Sequence, residues 1–308
     1  MATCQVHYKN NIEFNTTMHV HGLFATKEFE GTYVGGVIDG HDYPGNHVQP
    51  GETFTYKWYV PSRAGPGRSD FSSVAYSYHS YYNFEEDVNA GLIGSIVVTK
   101  KGYAKLDGSP VDVDREYFIY YSVFDETESF YFEKNVEHFI PEQANDTALL
   151  SSFIFGEANL KRAVNGFLFA NIPDVKMKTQ ETVRWYITTL GAERDVHTAF
   201  WDGQTLVNVQ GIRVASEIVF PARSNTLTMF TDQVGEFFFQ CHVNTHFTAG
   251  MTGIYIIEEG EDYNHDRNFA TSFDAYDIFR SQTLLIESSS ASSNIVCLCF
   301  LVTLLILL

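Results

Sequence analysis

The sequence predicts an all-β protein made of two β-sandwich units, and three observations carry that prediction. Short segments rich in aromatic and β-branched residues recur along the 308 residues, separated by clusters such as IDGHDYPGNH and SRAGPGRSD, in which Gly, Pro, Asn and Asp break extended structure. No amphipathic helix longer than two turns is visible in the first hundred residues. A charged stretch containing Gly and Pro, KKGYAKLDGSPVDVD at 100–114, divides two runs of strands, and a chain of this length has room for about two domains.

The first run places strands at 6–8, 17–23, 53–60, 74–81 and 92–99. That is fewer than a closed sandwich uses. The first unit, 1–105, is therefore expected to lack its opening strands. Met1 leads straight into polar, strand-like sequence with no signal peptide, which agrees with a chain cut short at its N-terminus. The second unit, 112–260, opens with a strand at 117–124 and passes through a polar stretch to Val164. It continues with strands at 182–188, 192–201, 217–220, 226–231, 236–242 and 252–258, enough for a complete sandwich. NGFLFANIPDVKMKTQETVRWY mirrors the aromatic strand pairs of the first unit, as a duplicated β-domain would.

Two segments follow: an acidic and then Ser-rich linker at 261–294, and an uninterrupted apolar tail at 295–308. As a helix this tail would be about 21 Å long against a hydrocarbon core of about 30 Å, short for a span. Small residues before a terminal apolar run resemble a GPI-attachment signal. The expectation is an extracellular, cell-surface protein anchored to the membrane by GPI or by a short C-terminal segment. N-x-T sequons at Asn15 and Asn145 are the candidate glycosylation sites.

A net charge of −18 and a pI near 4.9 exclude nucleic acid as a partner, because no basic stripe is available to neutralise phosphates. The acidity suits an extracellular solute or a surface that handles cations. The four cysteines do not form a disulfide framework: Cys297 and Cys299 lie in the apolar tail, and Cys241 belongs to another pattern.

That pattern is FFFQCHVNTHFTAGM at 237–251, with Cys241, His246 and Met251 in C-x4-H-x4-M spacing. Thiolate, imidazole and a weak thioether are the donors of a blue-copper electron-transfer site, and a loop after a strand lets all three converge on one ion. With 11 His and 5 Met in the chain, this spacing follows a given cysteine by chance about once in 1,700 cases. A second imidazole must come from a neighbouring strand. His197, 44 residues before Cys241, is at the end of one.

Alternation along strands divides these side chains further. Cys241 shares an inward face with Phe237 and Phe239, whereas His242 points outward. The same rule puts His19 and His21 of MHVHG on one face of their strand, and His79 and Tyr81 of YHSY on one face of another.

These residues, together with TMHVHGLFATKEFEG, YHSYYNFEEDVNAGLIGSIVV, YSVFDETESFYFEKNVEHF, AVNGFLFANIPDV and DVHTAFWDG, resemble the ceruloplasmin and hephaestin branch of the multicopper oxidases over most of residues 5–258. The resemblance implies cupredoxin-like Greek-key β-sandwich domains and copper as cofactor. It also implies Fe(II) and dioxygen as substrates, and a type 1 copper on His197, Cys241, His246 and Met251. Cys241 and His242 would be the catalytic pair through which an electron leaves that site.

The family's trinuclear cluster uses eight histidines. Here His19, His21, His79 and His242 match as a residual type 2/3 copper set, but Tyr81, Gln240, Phe200 and Asp202 occupy positions of the others. Iron ligands are implied at Glu157 and Glu193, with Arg162 and Thr245 replacing two further ligands. Because the cluster lies between domains of successive pairs, a two-domain chain needs another copy to complete it, and a homotrimer is the assembly expected. The missing ligands imply impaired oxygen reduction. A non-catalytic copper-binding protein of the extracellular matrix and an electron-transfer cupredoxin are the alternative readings.

Overall fold

Aromatic and β-branched residues at alternating positions bury one face of an extended backbone, and the strands form where that pattern runs. The computed structural model describes residues 2–35, 41–260 and, as backbone, 297–300. Five strands precede residue 100: β1 (Ala2–Lys9), β2 (His19–Val20), β3 (Thr53–Val60), β4 (Ser73–His79) and β5 (Ile93–Thr99). Next come β6 (Arg115–Asp125), β7 (Leu160–Val164), β8 (Lys176–Lys178), β9 (Thr182–Thr188), β10 (His197–Trp201) and β11 (Leu206–Val207). The remainder are β12 (Arg213–Val214), β13 (Ser216–Val219), β14 (Ser224–Phe230), β15 (Gly235–Cys241), β16 (Thr252–Glu258) and β17 (Cys297–Phe300).

Strands before residue 100 and strands from 115 to 258 fall in separate sheets. β1 pairs with β3, and β17-β5-β4-β2 form a four-stranded sheet. The later strands form a sheet ordered β13-β10-β15-β16-β8 and another ordered β12-β11-β14-β9-β6-β7. The pairs β6/β9 and β8/β16 are parallel, so the chain crosses over instead of running as a simple meander.

Each group of sheets encloses a core. The larger holds Trp185, Trp201, Phe239 and Tyr255, with Trp185 and Trp201 edge-to-face at 5.6 Å. Cys241 and Met251 belong to this core. The smaller packs Tyr56, Trp58, Val20, Val48 and Ile96. Its polar tips are satisfied: Tyr56 Oη donates to Gly45 O at 2.6 Å and Trp58 Nε1 donates to Phe29 O at 3.2 Å.

Polar contacts join β4 to β9. Arg184, fully buried, donates to Ser73 Oγ and Thr228 Oγ1, and lies 3.6 Å from Asp112 and over the Phe71 ring. Tyr186 Oη bonds Ser73 Oγ, and Ser77 Oγ meets Thr188 Oγ1 at 2.8 Å. An apolar cluster of Val88, Ile93, Tyr120, Phe124, Ala163 and Leu190 continues the contact.

The structure departs from the expected elements in several places, among them β7, β8, β11 and β12, strands that the sequence pattern did not mark. The strand expected at 17–23 shortens to β2: Gly22 turns the chain at φ +73°, and Leu23 N bonds His21 O. The strand expected at 192–201 begins only at His197, after a 3-10 turn at Glu193–Asp195. The polar stretch before Val164 contains helices, α2 (Phe132–Phe139), α3 (Thr147–Leu150) and α4 (Phe153–Asn159); another, α1 (Phe84–Asn89), precedes β5. Asp146 and Ser152 cap α3 and α4 by accepting from Leu149 N and Phe155 N.

The linker at 261–294 and most of the tail at 295–308 lie outside the described residues; within the tail, β17 pairs antiparallel with β5. Among the described residues no helix is long and apolar enough to cross a membrane.

Candidate metal centre

Antiparallel pairing of β10 with β15 sets Ala199 opposite Cys241 and leaves His197 two residues beyond it, at the end of the strand. Past Cys241 the chain turns through a one-turn helix, α5 (Asn244–Phe247), which returns His246 to the strand end. Backbone bonds close this loop: Cys241 N donates to Met251 O, and Met251 N donates to His246 O, both at 3.1 Å.

The three donor atoms consequently meet. His197 Nδ1 and His246 Nδ1 are 3.2 Å apart, and Cys241 Sγ lies 3.7 Å from the first and 3.6 Å from the second. All three residues are buried. The centre of such a triangle is about 2 Å from each corner, the length of a metal–imidazole bond. Two imidazoles and one thiolate in a trigonal array are the donor set of a blue-copper site. Met251, fully buried in the same core, belongs to the loop that closes under the triangle.

The surroundings support ligation. Asp195 Oδ1 sits 3.3 Å from His197 Nε2, which holds the proton there and leaves the Nδ1 lone pair free for an ion. Asp195 is itself fixed by accepting from Val123 N and Ala192 N. Burial, with help from His197 and Arg162, lowers the His246 pKa to about 4, so the ring is a neutral donor. Burial pushes the Cys241 thiol up, which makes a bound cation the natural stabiliser of its thiolate; Thr198 N donates to Sγ at 3.5 Å. Tyr121 stacks on His197 at 5.8 Å.

A second convergence forms on β2 and β4. His21 Nε2 and His79 Nε2 are 3.0 Å apart, and donor atoms of His19, His21 and His79 all lie within 4.8 Å of one another. Backbone carbonyls fix two of the rings: His19 Nδ1 donates to Glu30 O at 2.8 Å and His79 Nδ1 donates to Ser80 O at 2.7 Å. The Nε2 atoms of both are left as acceptors. Burial brings the His79 pKa down to about 3 and also lowers that of His21. Tyr81 packs at 5.2 Å from His19 and 5.3 Å from His79, on the face that alternation predicts.

His242 does not join this trio. It is exposed, and its ring meets Phe200 edge-on at 4.4 Å. Gln240 beside it is buried, with Oε1 unpartnered. Of the expected iron ligands, Glu157 is paired with Arg162 at 3.3 Å, whereas the Glu193 side chain lies outside the described part. Asn145 is exposed and Asn15 half-buried.

Sequence reasoning missed Asp195, Ser80 and Asp87. Only Asp195 carried a signal, standing two residues before the candidate ligand His197 in DVH.

Comparisons with known proteins find similar chains. A family model described as multicopper oxidase matches residues 1–102. Hephaestin of Homo sapiens is 36% identical over 259 residues, covering 83% of this chain and 22% of the relative. Ceruloplasmin of Rattus norvegicus is 35% identical over 256 residues, 83% of this chain and 24% of the relative. Ferroxidase HEPHL1 of Homo sapiens is 32% identical over 254 residues, 82% of this chain and 22% of the relative. The chain thus spans less than a quarter of the length of these relatives. Among solved structures, a blue copper oxidase from Nitrosomonas europaea superposes with a TM-score of 0.55 at 18% identity, covering 87% of this chain and 80% of that one. At that identity the likeness shows the fold alone.

Proposed function

The chain belongs to the multicopper oxidase family, whose members bind copper, and from that premise we propose a ferroxidase-like oxidoreductase at the cell surface with one type 1 copper site. The buried triangle of His197, Cys241 and His246 carries the reading, and the buried Met251 would add a thioether to the set that would hold copper. Copper bound there supplies a one-electron acceptor.

The chain's own residues prepare that site. Asp195 orients His197, the Thr198 amide supports the Cys241 sulfur, and the core around Phe239 and Met251 excludes water. Fe(II) as electron donor is supported by the relative named a ferroxidase, with Glu157 and Glu193 as proposed carboxylate ligands. The Arg162 guanidinium at Glu157 raises the cost of holding a cation there.

Dioxygen reduction is the weaker half. His19, His21 and His79 offer one ligating point, and His242 faces solvent elsewhere on the chain. A second copy, in a homotrimer, would have to bring His242 to the trio. Tyr81, Gln240 and Asp202 would still stand in place of imidazoles.

The exposed His242, packed on Phe200, favours a second reading: electron transfer from the Cys241 site to a partner at the surface of β15. An intense thiolate-to-copper absorption lost in Cys241→Ala tests the type 1 site. A copper-loaded protein without that band sinks it. Iron-dependent oxygen consumption separates oxidase from electron carrier.

A further inference from the structure

The structure assigns Asp87 as a positioning residue: we infer that its carboxylate clamps the two histidine-bearing strands together, so that His19 and His79 keep their Nε2 atoms aimed at one point. The inference rests on the proposal that this trio holds a metal ion. Asp87 lies in α1, outside both strands, and is 1% exposed. A carboxylate is rarely buried unless it is fully bonded. Here Oδ2 accepts three hydrogen bonds, from Ser80 Oγ at 2.6 Å and from the amides of Tyr82 and Asn83, each at 3.0 Å.

Ser80 is the hinge of the arrangement. Its Oγ also accepts from Thr17 N at 3.0 Å, two residues before His19, while its carbonyl accepts from His79 Nδ1. Thr17 replies from the other strand: its Oγ1 accepts from Tyr81 N at 2.8 Å and donates to Gly31 O at 2.6 Å. Next to Gly31, Glu30 O and Thr32 Oγ1 are the partners of His19 Nδ1, the hydroxyl at 3.0 Å. Asp87, Ser80 and Thr17 thus form one continuous chain from helix α1 through the end of β4 to the start of β2. It ends at the groups that set the tautomers of two of the three imidazoles. Loss of a residue that orients a ligand in this way typically costs about 10- to 100-fold in metal affinity.

Ser80→Ala would break the link to Thr17 while leaving Asp87 bonded to the two amides. Asp87→Asn can present its amide oxygen in place of Oδ2 and keep all three bonds, whereas Asp87→Ala loses them.

The test uses the full chain carrying Cys241→Ala, which removes the other copper site, and titrates it with Cu(II) under a competing chelator. Asp87→Ala is expected to weaken Cu(II) binding by about 10- to 100-fold and to change the nitrogen hyperfine pattern in the EPR spectrum. Ser80→Ala should do so less, and Asp87→Asn should restore both within about threefold. Equal affinity and an unchanged spectrum in Asp87→Ala, with the protein folded by its melting curve, overturn the clamp. Imidazole nitrogen NMR shifts of the metal-free chain report His19 and His79 tautomers directly. If the parent binds no Cu(II), the metal reading fails, and these shifts judge the clamp alone: moved by Asp87→Ala they sustain it, unmoved they refute it.

Discussion

Cys241 is the last residue of β15 and His242 the next in the chain, yet the two serve opposite sides: the Cys241 sulfur is sealed in the core against two imidazoles, and the His242 ring lies in solvent against Phe200. The pleat of a strand makes this unavoidable. It also joins the buried Cys241 sulfur to an exposed imidazole through a short covalent path.

The first prediction follows from that division. His242→Ala should leave the thiolate-to-copper absorption intact, because His242 touches neither Sγ nor the paired imidazoles. Cys241→Ala should abolish it. Electron transfer from the loaded site to an external acceptor, followed by stopped-flow reoxidation, should slow in His242→Ala. Loss of the band in that variant would mean that the two sides of the strand are not independent.

The histidines that the structure brings together were legible in the sequence as candidates, because spacing and alternation are local properties. The C-x4-H-x4-M loop needed no tertiary information, and His197 needed only the premise that a neighbouring strand supplies it. The ends of elements were less legible. β2 stops at Val20 because Gly22 and the Leu23 amide turn the chain, and β10 starts late because Asp195 reaches back to accept from Ala192 N. The supporting groups were illegible for a different reason. Asp87 lies seven residues from Ser80 and seventy from Thr17, and no periodicity marks a carboxylate whose partners are two backbone amides and a hydroxyl.

Asp195 gives the second prediction. Its carboxylate accepts from Val123 N, Ala192 N and His197 Nε2. Asp195→Ala should lower copper affinity at the Cys241 site by about 10- to 100-fold, read by chelator competition. Each buried donor left without a partner should cost about 1–3 kcal/mol of stability. Unchanged affinity would mean that the His197 tautomer is held by something else.

Arg184 gives the third. It is a fully buried cation that satisfies Ser73 and Thr228 and lies near Asp112. Removing one member of such a pair leaves uncompensated polar groups and typically costs about 3–5 kcal/mol. Arg184→Ala should shift the urea midpoint accordingly. A shift under about 1 kcal/mol would mean that water replaces the guanidinium without penalty.

The fourth prediction concerns pH. Burial raises the Asp87 pKa from 3.8 to about 6 in the folded chain, against the pull of its hydrogen bonds from Ser80, Asn83 and Tyr82. Below the unfolded value both states hold the proton, and the group has no effect on stability. Between the two values the folded state binds more protons than the unfolded one, so raising the pH through this window destabilises the protein. The penalty is complete above about pH 6 and amounts to about 3 kcal/mol for a shift of about two units. Asp87→Asn lacks this titration and keeps the acceptor oxygen. Its stability relative to the parent should therefore rise between pH 4 and pH 7, measured as the difference between the two urea unfolding curves at each pH. A difference that stays flat across that window would show that Asp87 ionises as easily in the folded chain as in the unfolded one. The three donors around it would then fully offset its burial.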